Sequence, residues 1–260
     1  MVACPACGGG VSCVGVIRHR WWVCSRCGTA AREPRRAGAP REVGYFRRAD
    51  PEAEAAEARQ VGACLASHGI APRGRVLDVG GGPGAALAAL AREGGVEEVL
   101  LLEYSPHARA RAAELGVSAC EFDFQSGAVP VVAPGRWDLV MVRYSAAWCH
   151  DLSRFAAELA ALAAPGAILL LTWVLPGRGA FAVSQLEFEA PDRLFSERIV
   201  DECFTAAGWT LRDRFEPAPP MLYPRPSWRW FLGLPVLLRP GPARGFRQRQ
   251  AGRIFAFPGA

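Results

Sequence analysis

Arg75-Val-Leu-Asp-Val-Gly-Gly-Gly-Pro-Gly84 predicts a buried β-strand followed by a glycine-rich turn. Val76, Leu77 and Val79 form the short apolar run that is typical of a strand inside a parallel sheet. Residues 85–92 are rich in alanine and leucine and predict a helix. Because glycine permits positive φ and has no Cβ atom, the turn between them lets a ligand reach bare backbone. We therefore expect a ligand site at the carboxyl end of this strand, where open α/β sheets bind their ligands.

The glycine spacing alone also fits a loose dinucleotide-binding fingerprint, which Gly80, Gly82 and Ala85 would satisfy. A pyrophosphate needs the N–H groups of such a loop as donors, and Pro83 removes one of them. Asp78 places a carboxylate beside the turn, where it repels phosphate but suits an ammonium group or an ordered water. These two residues favour a ligand without phosphate. The alternative without any ligand is a plain strand-to-helix turn.

The stretch Val76-Leu-Asp-Val-Gly-Gly-Gly-Pro-Gly84 resembles the first motif of the class I S-adenosylmethionine-dependent methyltransferases. Later motifs follow in the family's order over about residues 41–217. The resemblance implies S-adenosylmethionine as cofactor and a Rossmann-like α/β sheet of seven strands in the order 3-2-1-4-5-7-6, with the last strand antiparallel. The candidate cofactor-binding residues are Asp78, Gly80, Gly82, Gly84, Glu103, Tyr104, Asp123, Phe124 and Arg143.

A second buried strand is predicted from Val99 to Glu103, and it ends in an acid. A carboxylate at that position can accept hydrogen bonds from both ribose hydroxyls of an adenosine group. NAD-binding proteins use the same geometry, so Glu103 does not distinguish S-adenosylmethionine from NAD. The alternative is that Glu103 is a surface acid that caps a helix. Tyr104 is a candidate to pack on the adenine ring. The resemblance further implies that Asp123 bonds the adenine amino group and that Phe124 borders the ring.

The predicted fourth strand spans residues 137–142, and the residues after it indicate which kind of atom accepts the methyl group. Arg143-Tyr144-Ser145-Ala146 differs from the Asn/Asp-Pro-Pro-Tyr motif of enzymes that methylate planar amino groups. The sequence therefore favours transfer to oxygen, carbon or aliphatic nitrogen. The family often carries a histidine at the start of the next helix, and His150 is the candidate general base there. Asp151 either orients it or caps the helix, and a surface histidine is the alternative.

Two cysteine pairs with the same spacing, Cys4-Pro-Ala-Cys7-Gly and Cys24-Ser-Arg-Cys27-Gly, predict a metal site at the start of the chain. Four thiolates on two such turns close a tetrahedral site with no open position, so we expect a structural zinc ion bound by Cys4, Cys7, Cys24 and Cys27. Iron uses the same ligands and stays open as an alternative. A ribbon of this size cannot fold by burial alone, so the metal supplies its stability.

The chain is predicted to have three segments. Residues 1–40 form the zinc ribbon and a linker, 41–74 form an N-terminal helical segment near the cofactor mouth, and 75–260 form the methyltransferase core. Within the core, residues 218–250 are an insertion rich in arginine and aromatic side chains, between strands six and seven. Its apolar part, 228–238, is too short to span a bilayer. It could cover an apolar acceptor, make peripheral contact with a membrane, or pack against the core.

Composition limits the function further. The chain of 260 residues has a net charge of +5, and all 30 of its basic residues are arginine, which excludes mechanisms that need a lysine. Nine cysteines without a signal-like start or a long apolar segment predict a cytoplasmic protein. The favoured function is methyl transfer to a small-molecule acceptor in a biosynthetic reaction. There are three alternatives. An RNA methyltransferase would use the ribbon and the insertion to contact phosphates. The other two are a non-catalytic zinc-ribbon binding protein and an NAD oxidoreductase.

Overall fold

The structure is a computed structural model, and it describes residues 4, 6–7, 9–16, 19–32, 51–124, 136–175, 193–217 and 250–259. Within these ranges the chain forms one sheet of four strands and one of seven. The linker predicted over 28–44 is described only as far as Arg32, and its residues 30–32 form a strand instead, because they pair with the preceding strand of the cysteine-bearing hairpin. The predicted arginine-rich and aromatic insertion, apart from its last residue, lies outside the described residues.

The described strands and helices alternate through most of the chain. The strands are β1 (Val11–Val16), β2 (His19–Cys24), β3 (Ala30–Arg32), β4 (Gly74–Val79), β5 (Val96–Glu103), β6 (Ser118–Glu121), β7 (Trp137–Arg143), β8 (Ala163–Val174), β9 (Arg193–Leu194), β10 (Thr210–Phe215) and β11 (Gln250–Ala256). The helices are α1 (Pro51–Ser67), α2 (Ala85–Leu90), α3 (Pro106–Glu114), α4 (Leu152–Leu162) and α5 (Glu197–Ala206), with a 3₁₀ turn at Ala146–Trp148.

The large sheet has the strand order β10-β11-β8-β7-β4-β5-β6. Strands β4 to β8 run parallel, whereas β11 is antiparallel to both β8 and β10. Counted along this sheet alone, the order is 3-2-1-4-5-7-6 with an antiparallel last strand. The predicted fold class is therefore confirmed.

The central strands are apolar at most of their buried positions, because helices cover both faces of the sheet, and Asp78 is the buried polar exception in β4. Val76 and Leu77 in β4 are fully buried and belong to different clusters, since neighbouring side chains of a strand point to opposite faces. The cluster around Val76 includes Leu87 of α2 and side chains of α1. The cluster around Leu77 includes Phe155 of α4 and Phe204 of α5. This packing fixes the carboxyl ends of β4, β5 and β7 along one edge, where the predicted ligand site lies.

One predicted element is wrong at its start. The sequence of residues 191–207 predicts a helix, but the helix begins only at Glu197, where the Ser196 side chain accepts a hydrogen bond from the Ile199 N–H group and caps α5. The two residues of β9 precede this cap and form a strand, because they pair with a distant part of the chain. The seventh strand begins at Gln250, so this residue belongs to the sheet and not to the insertion.

Strand β9 joins the small sheet, whose order is β1-β2-β3-β9. It pairs antiparallel with β3, with Ala30 opposite Leu194 and Ala31 opposite Arg193. The cysteine-bearing hairpin therefore shares a sheet with a strand from the predicted methyltransferase core. The predicted domain boundaries stay a prediction.

The described helices are short compared with a bilayer. The longest of them, α1, has 17 residues, and none in the described ranges is long and apolar enough to cross a membrane. The cytoplasmic location and the peripheral membrane contact through 228–238 stay predictions.

Candidate functional site

The turn after β4 has a left-handed backbone at three glycines. Gly80, Gly82 and Gly84 have φ angles of 72°, 63° and 76°. A Cβ atom on Gly80 would lie 2.4 Å from the Cβ atom of Ser145, the second residue after the end of β7. The close approach of the two chain segments leaves no space for a side chain here. The turn is therefore bare backbone at the carboxyl edge of the sheet, as predicted.

A buried ion pair lies beneath this turn. The Arg143 Nη2 atom donates to Asp78 Oδ2 over 2.6 Å, and Nη1 donates to Glu57 Oε1 of α1 over 2.5 Å. The side chains of Asp78 and Arg143 are 0% and 8% exposed. Burial raises the pKa of Asp78, and Arg143 opposes that rise. Burial alone would lower the pKa of Arg143, but the two carboxylates raise it by more, so the guanidinium stays charged. The sequence predicted neither the pair nor the role of Glu57.

Three buried polar atoms at this edge have no hydrogen-bond partner within the described part of the chain. They are Asp78 Oδ1, Arg143 Nε and Thr172 Oγ1. Their residues lie near the carboxyl ends of β4, β7 and β8, and strand alternation places all three side chains on the face that α1 covers. Because buried polar groups in folded proteins are nearly always satisfied, these atoms indicate a polar ligand at the strand ends.

Glu103 ends the neighbouring strand β5 and faces the glycine turn. Its Oε2 atom accepts a hydrogen bond from the Gly82 N–H group over 2.9 Å, and its Oε1 atom accepts one from the Ser105 N–H group over 2.8 Å. Burial raises the pKa of this carboxyl group, and the backbone donors offset part of the rise. Each carboxylate oxygen has a second lone pair. The side chain is thus fixed by backbone groups, and its predicted role in accepting hydrogen bonds from ribose hydroxyls stays a prediction.

The segment after β6 brings an aromatic ring to the turn. Phe124 is buried and contacts Phe122 edge-on, with ring centroids 4.7 Å apart. Its Cε2 atom would lie 3.0 Å from a Cβ atom on Gly80, so the ring borders the glycine turn. Asp123 and Tyr104 are half-buried. The adenine contacts that the family resemblance implies for Asp123, Phe124 and Tyr104 stay predictions.

The exit from β7 has a strained backbone. Tyr144 has a φ of 59° and is the one non-glycine residue with positive φ in the described ranges. Its N–H group donates to Thr172 O over 2.8 Å, and its hydroxyl donates to Gln250 Oε1 over 2.7 Å. The Ser145 hydroxyl donates to Val79 O over 2.6 Å. These bonds hold β4, β7, β8 and β11 together beside the turn, and strain of this kind concentrates at functional sites.

His150 lies between the 3₁₀ turn and α4 and is half-buried. Its carbonyl oxygen accepts a hydrogen bond from Arg193 Nη1, which also donates to Cys149 O over 3.0 Å. Asp151 Oδ1 accepts from the Arg154 N–H group over 2.9 Å, so the structure gives Asp151 the helix-capping position. The catalytic roles of His150 and Asp151 stay predictions.

The four predicted metal ligands meet in one cluster. The sulfur atoms of Cys4, Cys7, Cys24 and Cys27 all lie within 4.8 Å of one another. The Sγ atoms of Cys4 and Cys27 are 3.7 Å apart, and those of Cys7 and Cys24 are 3.5 Å apart. A tetrahedral zinc ion with Zn–S bonds of about 2.3 Å separates its sulfur ligands by about 3.8 Å. The grouping is therefore confirmed and fits a closed metal site, while zinc as the metal stays a prediction.

Comparisons with known proteins agree with this geometry. A family model described as a methyltransferase domain matches residues 46–213. A chain solved in the complex between the Haloferax volcanii Trm112 methyltransferase activator and the putative methyltransferase is 19% identical, with a TM-score of 0.56, and the match covers 81% of this chain and 100% of that one. No curated protein matches the sequence.

Two further solved structures share the fold at low sequence identity. A putative sarcosine dimethylglycine methyltransferase from Galdieria sulphuraria is 14% identical with a TM-score of 0.57, over 82% of this chain and 92% of that one. The geranyl diphosphate C-methyltransferase from Streptomyces coelicolor A3(2) is 18% identical with a TM-score of 0.52, over 61% of this chain and 60% of that one. Because the family model spans more than half of the sequence and the strand order agrees, the chain belongs to the class I S-adenosylmethionine-dependent methyltransferase domain family and carries an N-terminal four-cysteine cluster.

Proposed function

We propose that this methyltransferase acts on a small-molecule acceptor, at oxygen, carbon or aliphatic nitrogen, in a biosynthetic reaction. The observation that carries the cofactor assignment is the pair of buried carboxylates, Asp78 and Glu103, on either side of the glycine turn. Together with Glu57 and Arg143 they make three carboxylates against one guanidinium, a net charge of −2 when all are ionised. S-adenosylmethionine is a net cation, whereas NAD brings two phosphates that this site would repel.

The side chains at the turn have distinct tasks in this proposal. Asp78 has a buried oxygen that finds no partner among the described residues, which suits the ammonium group of the cofactor. Glu103 would accept hydrogen bonds from the ribose hydroxyls, and Phe124, with Tyr104 and Asp123, would border the adenine. S-adenosylmethionine, when bound, supplies a methyl group that is already activated as part of a sulfonium. The protein therefore needs mainly to hold donor and acceptor in line and to exclude water.

The exit from β7 supports an acceptor other than a planar amino group. Residues 143–146 lack the motif that binds such groups, and the Tyr144 hydroxyl is bonded to Gln250 of β11. The same fold accommodates small molecules in the enzymes named for sarcosine and dimethylglycine and for geranyl diphosphate. A hydroxyl acceptor would need a base to take its proton, and we assign that task to His150.

Titration calorimetry tests the proposed cofactor. We expect sub-millimolar binding of S-adenosylmethionine and none of NAD. Glu103→Gln should weaken the binding about 10- to 100-fold, since a hydrogen bond to a charged group contributes about 1.5–3 kcal/mol. Glu98→Gln is the matched control, because Glu98 lies in the same strand but is exposed and far from the turn. Failure of the wild-type protein to bind S-adenosylmethionine would overturn the proposal.

His150→Ala is expected to keep its cofactor affinity and to lose turnover about 10²- to 10⁴-fold, the usual contribution of a general base. Turnover is measured with labelled cofactor and a panel of hydroxyl, amine and carbon nucleophiles. The control is His107→Ala, which changes an exposed histidine on α3. Unchanged turnover in the His150 variant would show that no base acts at this position.

RNA is the acceptor that would contradict the proposal. An RNA methyltransferase would contact phosphates with arginines, and its affinity for RNA would fall steeply as the salt concentration rises. Incubation with labelled cofactor and total RNA at two salt concentrations separates the two cases. Salt-sensitive RNA binding together with methyl transfer to RNA would replace the small-molecule acceptor and leave the cofactor assignment intact.

A further inference from the structure

The second cysteine knuckle holds the start of strand β3. The Cys24 N–H group donates to Thr29 O over 3.0 Å, and the Gly28 N–H group donates to Cys24 O over 2.9 Å. The Cys27 thiol donates to Thr29 Oγ1 over 3.2 Å. Two of the four metal ligands thus sit on the turn that leads directly into Ala30, the first residue of β3. The position of β3 depends on the closure of the cysteine cluster.

Strand β3 in turn holds β9. Among the described residues the two strands share two residue pairs, and a strand of two residues has no stability of its own. Leu194 is fully buried, and the next residue, Phe195, accepts a hydrogen bond at its carbonyl from the Trp173 Nε1 atom of β8 over 3.0 Å. Strand β9 is therefore held on one side by the cysteine-bearing sheet and on the other by the large sheet.

Arg193 of β9 reaches the proposed acceptor side of the site. Its side chain is buried, and its Nη1 atom donates to the carbonyl oxygens of Cys149 and His150. These two residues connect the 3₁₀ turn after β7 with the start of α4. A hydrogen bond from a charged group to a carbonyl is stronger than one between neutral groups. The guanidinium therefore fixes the backbone that carries the His150 side chain.

We propose that the metal bound by the four cysteines fixes the His150 segment, residues 146–151, through strand β9, with Arg193 as the positioning residue. The inference rests on the proposed function in one respect, that this segment borders the methyl acceptor. The chain of contacts runs from the cysteine cluster to β3, from β3 to β9, and from Arg193 to the two carbonyls. The metal therefore organises the acceptor side of the methyltransferase in addition to stabilising the ribbon.

The connection predicts which half of the site responds to the metal. The two carboxylates proposed to bind the cofactor, Asp78 and Glu103, lie on β4 and β5 of the large sheet, whereas β9 belongs to the small sheet. Loss of the metal should loosen β3, release β9 and free the His150 segment, while the glycine turn stays in place. Acceptor binding and turnover would fall, and cofactor affinity would stay near its wild-type value.

Hydrogen–deuterium exchange on the metal-loaded full chain tests the proposal without an acceptor. Arg193→Ala should raise amide exchange in the His150 segment about tenfold or more, the effect of losing a hydrogen bond to a charged group. Its metal content, measured by mass spectrometry, and its affinity for S-adenosylmethionine should not change. Treating the wild-type protein with a chelator should raise exchange in the same segment by at least as much. Peptides from β5 are the internal reference.

Two variants distinguish a specific effect of the Arg193 hydrogen bonds on the His150 segment from general damage to the ribbon. Arg198→Ala removes an exposed arginine that donates to Arg26 O of the second knuckle, and it should leave exchange in the His150 segment unchanged. Arg193→Lys keeps the charge without the guanidinium fork, and it should give an intermediate exchange rate. Wild-type protection of the segment in metal-loaded Arg193→Ala, or in chelated protein that still binds the cofactor, would overturn the proposal. Loss of cofactor binding by the untreated wild type would instead overturn the proposed function.

Discussion

Replacing Asp78 by asparagine is expected to abolish cofactor binding and to lower the free energy of unfolding by about 3 kcal/mol, the lower end of the cost of breaking a buried ion pair. The substitution leaves the Arg143 guanidinium buried beneath the glycine turn, with Glu57 as the carboxylate partner that remains in the described part of the chain. It also removes the negative charge that faces the proposed ammonium group. Urea unfolding and titration calorimetry measure the two effects.

A double variant separates the two roles of Asp78. In Asp78→Asn with Arg143→Met, no unpaired buried charge remains, so stability should recover while cofactor binding stays absent. Asp213→Asn is the control, because this carboxylate lies on the surface, where it pairs with His68 and accepts a hydrogen bond from the Arg214 N–H group, and its replacement should leave both quantities near wild type. Recovery of cofactor binding in the double variant would show that Asp78 serves only to neutralise Arg143.

Gly80→Ala is expected to lower stability by about 2–5 kcal/mol and to remove cofactor binding. Two costs add here. A residue with a Cβ atom is strained at a φ of 72°, and the new atom would lie 2.4 Å from the Ser145 Cβ atom and 3.0 Å from the Phe124 ring. Relief of the clash has to move the exit of β7 away from the glycine turn. Thermal unfolding and calorimetry check both effects.

Gly116→Ala is a matched control for backbone strain. Gly116 has a φ of 79°, but nothing lies within 4 Å of a Cβ atom at this position. This variant should therefore lose only about 1–2 kcal/mol and bind the cofactor normally. Adding Ser145→Gly to Gly80→Ala should restore part of the lost stability, since it removes the nearest clashing atoms. Equal losses in the Gly80 and Gly116 variants would contradict a steric role for the turn.

The features that the sequence predicted correctly are largely local or follow from a repeated pattern. The glycine turn is local, because the residues with positive φ lie close together in the sequence. The two cysteine knuckles are recognisable because they repeat the same spacing. The order of the seven strands followed from the family resemblance. The helix-capping alternative for Asp151 was also visible, because its acceptor and the Arg154 N–H group are three residues apart.

The features that the sequence did not predict join distant residues. Glu57 and Arg143 are separated by 86 positions, and the acids near the start of α1 suit a helix N-terminus equally well without any partner. Strand β9 forms because it pairs with β3. A run of two residues has no periodicity from which the strand could be predicted. No role is predicted for Arg193 from the sequence. Its two carbonyl partners became visible only in the folded chain.

Because of the position of β11, the last strands of the large sheet are synthesised in a different order from the one in which they lie side by side. This strand follows β10 along the chain but lies between β8 and β10 in the sheet. During translation β10 therefore leaves the ribosome before the strand that must become its neighbour. Until β11 arrives, β8 has an open edge and β10 has no place in the sheet. Because an open sheet edge can pair with other chains, we expect the chain to be most prone to aggregation at this step, before β11 joins the sheet.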